Sequence, residues 1–225
     1  MKLKFIFILV ALVFLVMSCS DDDKWDKTAD GTLTLQKSED QGHDDYHLEI
    51  NKIEARIKSL TLRGTRLQAE SVEIEISKEN ILDFINGTTS NVVNFEIPQG
   101  TYTKIFLDIQ LEDSNDGGIE LGGGYKNNQN ESQSFRINIS KSKEINLVGE
   151  DDDGSNDFLI IENQSYKIQL SLNLKKLFKN IPHIAWNNMV PDVASDDVEI
   201  SSTSNPELYW SIKEELEGAF ELTVK

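Results

Sequence analysis

Cysteine is nearly absent from this chain of 225 residues, and Cys19 is the only one. No disulfide can form within the chain, and no thiol chemistry remains if that sulfur is consumed. Basic residues are scarce as well: 22 Lys and Arg stand against 39 Asp and Glu, a formal net charge of −17. A polyanion of this kind is repelled by nucleic acid and by anionic headgroups, so no nucleic-acid partner is expected. Long apolar runs are missing. The longest, Phe5–Met17, covers 13 residues, short of the ~20 that a membrane-spanning helix needs. There is no Gly-x-Ser-x-Gly elbow and no glycine-rich phosphate loop. Of the three histidines, His43 and His47 share i, i+4 spacing, but Gly42-His43-Asp44-Asp45 reads as a loop. His183 stands apart, so no histidine metal site is expected.

What is present begins at the amino terminus. Lys2 and Lys4 precede the apolar run, which ends in Val16-Met17-Ser18-Cys19. That order resembles a bacterial lipoprotein signal peptide. The resemblance implies cleavage before Cys19, lipidation of its thiol and exclusion of residues 1–18 from the fold. Losing Lys2 and Lys4 takes the formal charge from −17 to −19. Each buried acyl methylene contributes about 0.8 kcal/mol, and two or more chains anchor stably. Ser20-Asp21-Asp22-Asp23 then resembles the export signal of Bacteroidetes-type lipoproteins, which implies a lipid-anchored outer-membrane protein displayed on the cell surface. An acidic, solvated linker is the plainer reading, and the two are compatible. The expected layout is a leader over 1–18, an acidic lipidated tether over 19–30 and one domain over 31–225, with helical elaboration from about 175.

Within the domain, alternation of period two dominates. Leu33 and Leu35 oppose Thr32 and Thr34. Leu48 and Ile50 lead into Ile53, Ala55 and Ile57, then Leu60 and Leu62. Parity shifts after Ile50 and again after Ile57, as a bulge or a change of sheet would require. Gly64-Thr65 reads as a turn before Val72, Ile74 and Ile76. Ile81, Leu82 and Ile85 fit a short helical turn over 79–85, closed by Asn86-Gly87. Ile105, Leu107, Ile109 and Leu111 make the best strand, with Phe106 an outward exception. The stretch 113–124 reads as a loop that only Ile119 and Leu121 interrupt. Strands are expected around Phe135–Ile139, Ile145–Leu147, Phe158–Ile161 and Ile168–Leu174, with a short helix at Leu177–Ile181. Asn205-Pro206-Glu207 is a helix start with an N-cap side chain, Leu208, Ile212 and Leu216 form its apolar face, and Gly218 ends it. At most one of Tyr209 and Trp210 can face the core squarely. Phe220, Leu222 and Val224 suggest a last strand. Many short strands with turns between them argue for an all-β antiparallel β-sandwich with a few short helices, one near the C-terminus. A partly open barrel is the alternative.

Asp83-Phe84-Ile85-Asn86-Gly87, then Ile97-Pro98-Gln99-Gly100-Thr101-Tyr102-Thr103-Lys104-Ile105, with Tyr166–Leu174 and Leu177-Phe178 later, resemble a family of bacterial lipoproteins built on a domain of unknown function. The resemblance covers about residues 31–180 and implies a transthyretin-like or immunoglobulin-like sandwich. It implies no catalytic residues.

Few residues qualify as candidate sites. Asp151, Asp153 and Asp157 offer oxygen ligands near the Gly154 turn, the chemistry calcium prefers. The run fails the EF-hand template, and a solvated acidic loop is the preferred reading. Trp186, Asn187 and Asn188 lie between Pro182 and Pro191, where an exposed indole could stack on a sugar while the amides bind hydroxyls. The preferred alternative is a tryptophan that pins this segment to the sandwich. The expectation is a non-catalytic binding or adhesion protein for an extracellular glycan or host protein, without a cofactor. A structural subunit of an envelope or adhesin assembly is the second reading, and a glycoside hydrolase, which needs two convergent carboxylates, the third.

Overall fold

The computed structural model describes residues 25–37, 48–84, 92–112, 118–126, 131–139, 144–151, 157–190 and 197–225. Cys19, Ser20, Asp21, Asp22, Asp23, His43, His47 and Asp153 lie outside the described residues. The chain orders β1 (Thr28–Lys37), β2 (Leu48–Arg66), β3 (Val72–Asp83), β4 (Val92–Pro98), β5 (Gly100–Leu111), β6 (Ile119–Lys126), β7 (Ser132–Ile139), β8 (Glu144–Glu150), β9 (Phe158–Ile160) and β10 (Ser165–Leu172). Helices α1 (Leu174–Phe178) and α2 (His183–Asn187), strand β11 (Val198–Ile200), helix α3 (Pro206–Ala219) and strand β12 (Phe220–Val224) complete it.

The fold is all-β and sandwich-like, with one helix near the C-terminus. Its strands run in the order β11-β7-β6-β2-β5-β8-β12-β10-β1-β4, with β3 added to β2 and β9 to β5. Strand β8 links the two halves, because it pairs with β5 on one side and β12 on the other. Most pairings are antiparallel, but β1 with β10, β11 with β7 and β12 with β8 are parallel. The expected antiparallel arrangement holds for the remaining pairs. Parallel neighbours need long crossovers, and single-strand periodicity does not encode direction.

Strand β2 organises the sheet. Its first half pairs with β6 and its second with β5, while β3 lies along its other edge. The two parity shifts in its sequence are bulges: the register slips between Ile50 and Lys52 against β6, and between Ile57 and Ser59 against β5. Each slip returns the next apolar residue to the inner face. Leu60, Leu62, Ile105, Leu107, Ile109 and Ile145 are all buried there.

Three local expectations are overturned. Gly64-Thr65 is not a turn, since β2 continues to Arg66. A Cβ at Gly64 would overlap the ring of Tyr102, so the glycine makes room for an aromatic. Residues 79–83 belong to β3 rather than to a helical turn. Pairing from Glu54↔Asp83 through Ile57↔Asn80 outweighs the local helical spacing, and Leu82 and Phe84 are buried at period two. The stretch from Ile119 is strand β6, which carries Gly122, Gly123 and Gly124 between β2 and β7. Residues 28–30, expected before the domain, belong to β1.

The C-terminal cap follows from its caps and apolar spacing. Asn173 accepts a hydrogen bond from Lys176 N at 3.1 Å and opens α1. Leu208, Tyr209, Ile212, Leu216 and Ala219 line the buried face of α3. Tyr209 is buried and Trp210 is 47% exposed, as adjacency on a helix demands. Asn205 is not a side-chain N-cap. It has φ 53° and ψ 50°, and its amide instead accepts from Val190 N at 3.0 Å and donates to Glu199 O at 2.7 Å. Gly218 lies inside the helix, which runs on to Ala219.

Candidate functional site

Because β2, β3, β5 and β8 bury alternate residues, the remaining side chains form an ordered outer face. Cross-strand register sets them in rows. Glu73, Arg63, Phe106 and Val148 stand side by side. Glu75, Thr61, Asp108 and Asn146 make the next row, then Ser59, Gln110 and Glu144. Ser59, Thr61, Arg63, Glu73, Asp108, Gln110 and Glu144 line a shallow hollow of about 330 Å³.

The hollow is tied together by its own polar groups. Arg63 grips Asp108 through Nε on Oδ2 and through Nη2 on Oδ1, the second at 2.8 Å. That two-pronged bond raises the guanidinium pKa above its ordinary value, with the nearby charges of Asp108, Glu73 and Glu144 adding to it. The Arg63 guanidinium carbon sits 5.5 Å from the centre of the Phe106 ring, a cation–π contact. Ser59 Oγ donates to Gln110 Oε1 at 3.2 Å. Donors, acceptors and a half-exposed aromatic ring thus stand on one rigid surface. The sequence signalled this face through the polar halves of its alternating strands, but not which strands adjoin.

Of the two readings of Trp186, the sugar contact fails and the structure shows the preferred one, a tryptophan that pins this segment. Its side chain is 1% exposed, with ring centres 5.5 Å from Phe135, 5.6 Å from Phe178 and 6.5 Å from Tyr125. Covered by aromatic rings, the indole offers no face to a sugar; it pins α2 to the sheet. Asn187 is half-buried and Asn188 exposed. Asn188 lines a hollow of about 270 Å³ with Ala185, Asn205, Pro206, Glu207 and Leu208. The acidic residues Asp151 and Asp157 meet across a third hollow of about 360 Å³, with Leu159, Tyr166 and Lys225. Among the described residues no group of three His, Cys, Asp or Glu side chains is arranged to hold a metal.

No protein-family model matches this sequence, and no curated protein matches it. Among solved structures, MbnP from Methylosinus trichosporium aligns over 79% of this chain and 83% of its own, at 10% identity and a TM-score of 0.40.

Proposed function

We propose that this chain is a lipid-anchored protein of the outer-membrane surface whose sandwich binds an uncharged glycan without catalysis. Anchoring rests on the lipobox at Cys19, and surface display on Ser20, Asp21, Asp22 and Asp23. The outer face of β3, β2, β5 and β8 carries the binding reading. Its rows of hydroxyl, amide and carboxylate groups can hydrogen-bond the hydroxyls of a sugar chain, with Phe106 as an apolar platform. Asp108 is neutralised by Arg63, while the carboxylates Glu73 and Glu144 line the same hollow. An anionic polysaccharide is repelled there, whereas a neutral one meets only hydrogen-bonding groups. The test is binding of neutral and uronate-containing polysaccharides to the wild type and to Gln110→Ala. Retention of neutral polymers by wild type alone supports the reading, and equal retention by both proteins sinks the role given to this face. Protease shaving of intact cells, with Asp21, Asp22 and Asp23 changed together to Ala, tests display. Digestion of wild type but not of the variant is the expected result.

A further inference from the structure

Residues around the point where the tether joins the domain form a distinct end of the sandwich. Arg66 Nη1 donates to Trp25 O at 2.8 Å and to Gln99 O at 3.0 Å. Gln99 N donates to Lys27 O at 2.8 Å, and Lys27 Nζ pairs with Glu162 at 2.8 Å. Leu67 N donates to Thr101 O at 2.9 Å, and Thr101 faces Leu159 across the β5–β9 pair. The first residues of the domain, the end of β2 and the β9–β10 turn therefore share one pole.

This pole carries large apolar side chains in water. Leu67 is 67% exposed, Leu159 62% and Ile161 42%. Trp25, whose carbonyl accepts from Arg66 at the same end, is half-buried, and its amphipathic ring suits a membrane–water boundary. None of the three is needed for the core. Leu159 alternates outward between buried Phe158 and Ile160, so its exposure is set by the strand and is not a packing failure.

The length of chain before Trp25 says what meets this pole. Only five residues, 20–24, separate Cys19 from Trp25, a reach on the order of 20 Å at full extension. With Cys19 acylated, the pole is held within that distance of the lipid headgroups. We propose that Leu67, Leu159, Ile161 and Trp25 form a membrane-contact surface that seats this end of the domain in an uncharged lipid interface. The acids Asp26 and Glu70 are exposed at the same end, which disfavours an anionic bilayer. The inference rests on the lipid-anchoring reading of Cys19. It adds an orientation: β2 runs from this pole at Arg66 to the helical cap at Leu48, so the cap points away from the membrane.

Acylation of Cys19 removes the only native thiol, which makes single labels clean. The full lipidated protein is reconstituted in phosphatidylcholine vesicles with a nitroxide on Leu67→Cys, Leu159→Cys or, at the cap, exposed Val190→Cys. Oxygen and nickel-chelate accessibilities are then compared by electron paramagnetic resonance. The expected result is a shift toward oxygen for the labels at 67 and 159 and none for the label at 190. Equal, water-like accessibility at all three sites, on protein whose N-terminal peptide mass shows the acyl chains, overturns the membrane contact and leaves the anchor standing. An N-terminal peptide without acyl chains removes the anchor and the contact together.

Discussion

The outer face of β2 and β5 and the cap around Trp186 hold similar side chains put to opposite uses. On the face, Phe106 stands half-exposed among Ser59, Thr61, Asp108 and Gln110. In the cap, Trp186 is enclosed by Tyr125, Phe135 and Phe178. An aromatic beside amides is equally suggestive in both places on paper. What separates them is whether the surrounding backbone turns the ring toward water. On the face that is decided by strand parity, and in the cap by tertiary contacts from elements far along the chain.

Truncation breaks this comparison most forcefully in the cap. Trp186→Ala removes a fully buried indole and leaves a cavity among three rings, a loss of about 3–5 kcal/mol. Urea denaturation should show the drop, and a variant as stable as wild type would return Trp186 to the list of contact residues. Glycan affinity of the folded fraction is expected to be unchanged.

A smaller effect probes why part of the sheet was invisible beforehand. The run Gly122-Gly123-Gly124 reads as a loop because glycine has little preference for strands. Strand β6 needs Gly123 nonetheless, since a Cβ there would overlap the Glu49 carbonyl oxygen of β2. Gly123→Ala forces the backbones apart and should cost about 1–3 kcal/mol. Gly124→Ala, whose nearest neighbour would be 3.6 Å away, is the control and should cost less. Equal losses would mean that β6 tolerates side chains throughout.

Legibility follows the same division. Inner-face residues such as Leu60, Leu107 and Ile145 were readable because burial repeats every second residue, and the β2 bulges showed as slips in that repeat. Helix α3 was readable from Pro206 and its apolar spacing, although Asn205 turned out to clamp Val190 and Glu199. Strand pairing was not readable. Nothing local in Thr61 says that Asp108 lies beside it, and nothing in Leu33 says that its neighbour Ile168 runs parallel. The polar face exists only through those pairings, so its individual residues were visible and the site was not.

On the face itself, the expected effect is on binding and hardly on stability. Gln110→Ala should weaken a bound glycan about tenfold, the equivalent of one hydrogen bond, as read by isothermal titration. Its unfolding midpoint should stay close to that of wild type. Arg63→Ala loses an exposed ion pair worth at most about 1 kcal/mol, but it also frees Asp108 to repel anions more strongly. Unfolding losses as large as those of Trp186→Ala would show that the face is structural.

The smallest effect is a dependence on acid, and it separates the cap from the opposite pole. A hydrogen bond from Lys179 holds the Glu215 carboxyl below its ordinary value, with a further bond from Asn180 and the Lys179 charge outweighing desolvation. At the other end, a hydrogen bond from Lys27 lowers Glu162. A carboxyl whose folded pKa is depressed releases its proton more readily in the native state. Its stabilisation is therefore full above the unfolded value of about 4.5 and is lost as pH falls through the folded value. Both glutamates are partly exposed, where solvent screens such pairs, so each contribution is slight. Urea midpoints of wild type should be level from pH 7 to about 5 as far as these two groups are concerned. Below the unfolded value the midpoint should fall, and Lys179→Met should make that fall shallower by removing the Glu215 share. Lys27→Met should act in the same direction, and in vesicle-bound protein its effect should diminish if the lipid interface covers that pole. An unaltered acid slope in Lys179→Met would mean that the Lys179–Glu215 pair, though only 2.8 Å apart, is no stronger in the folded chain than in the unfolded one.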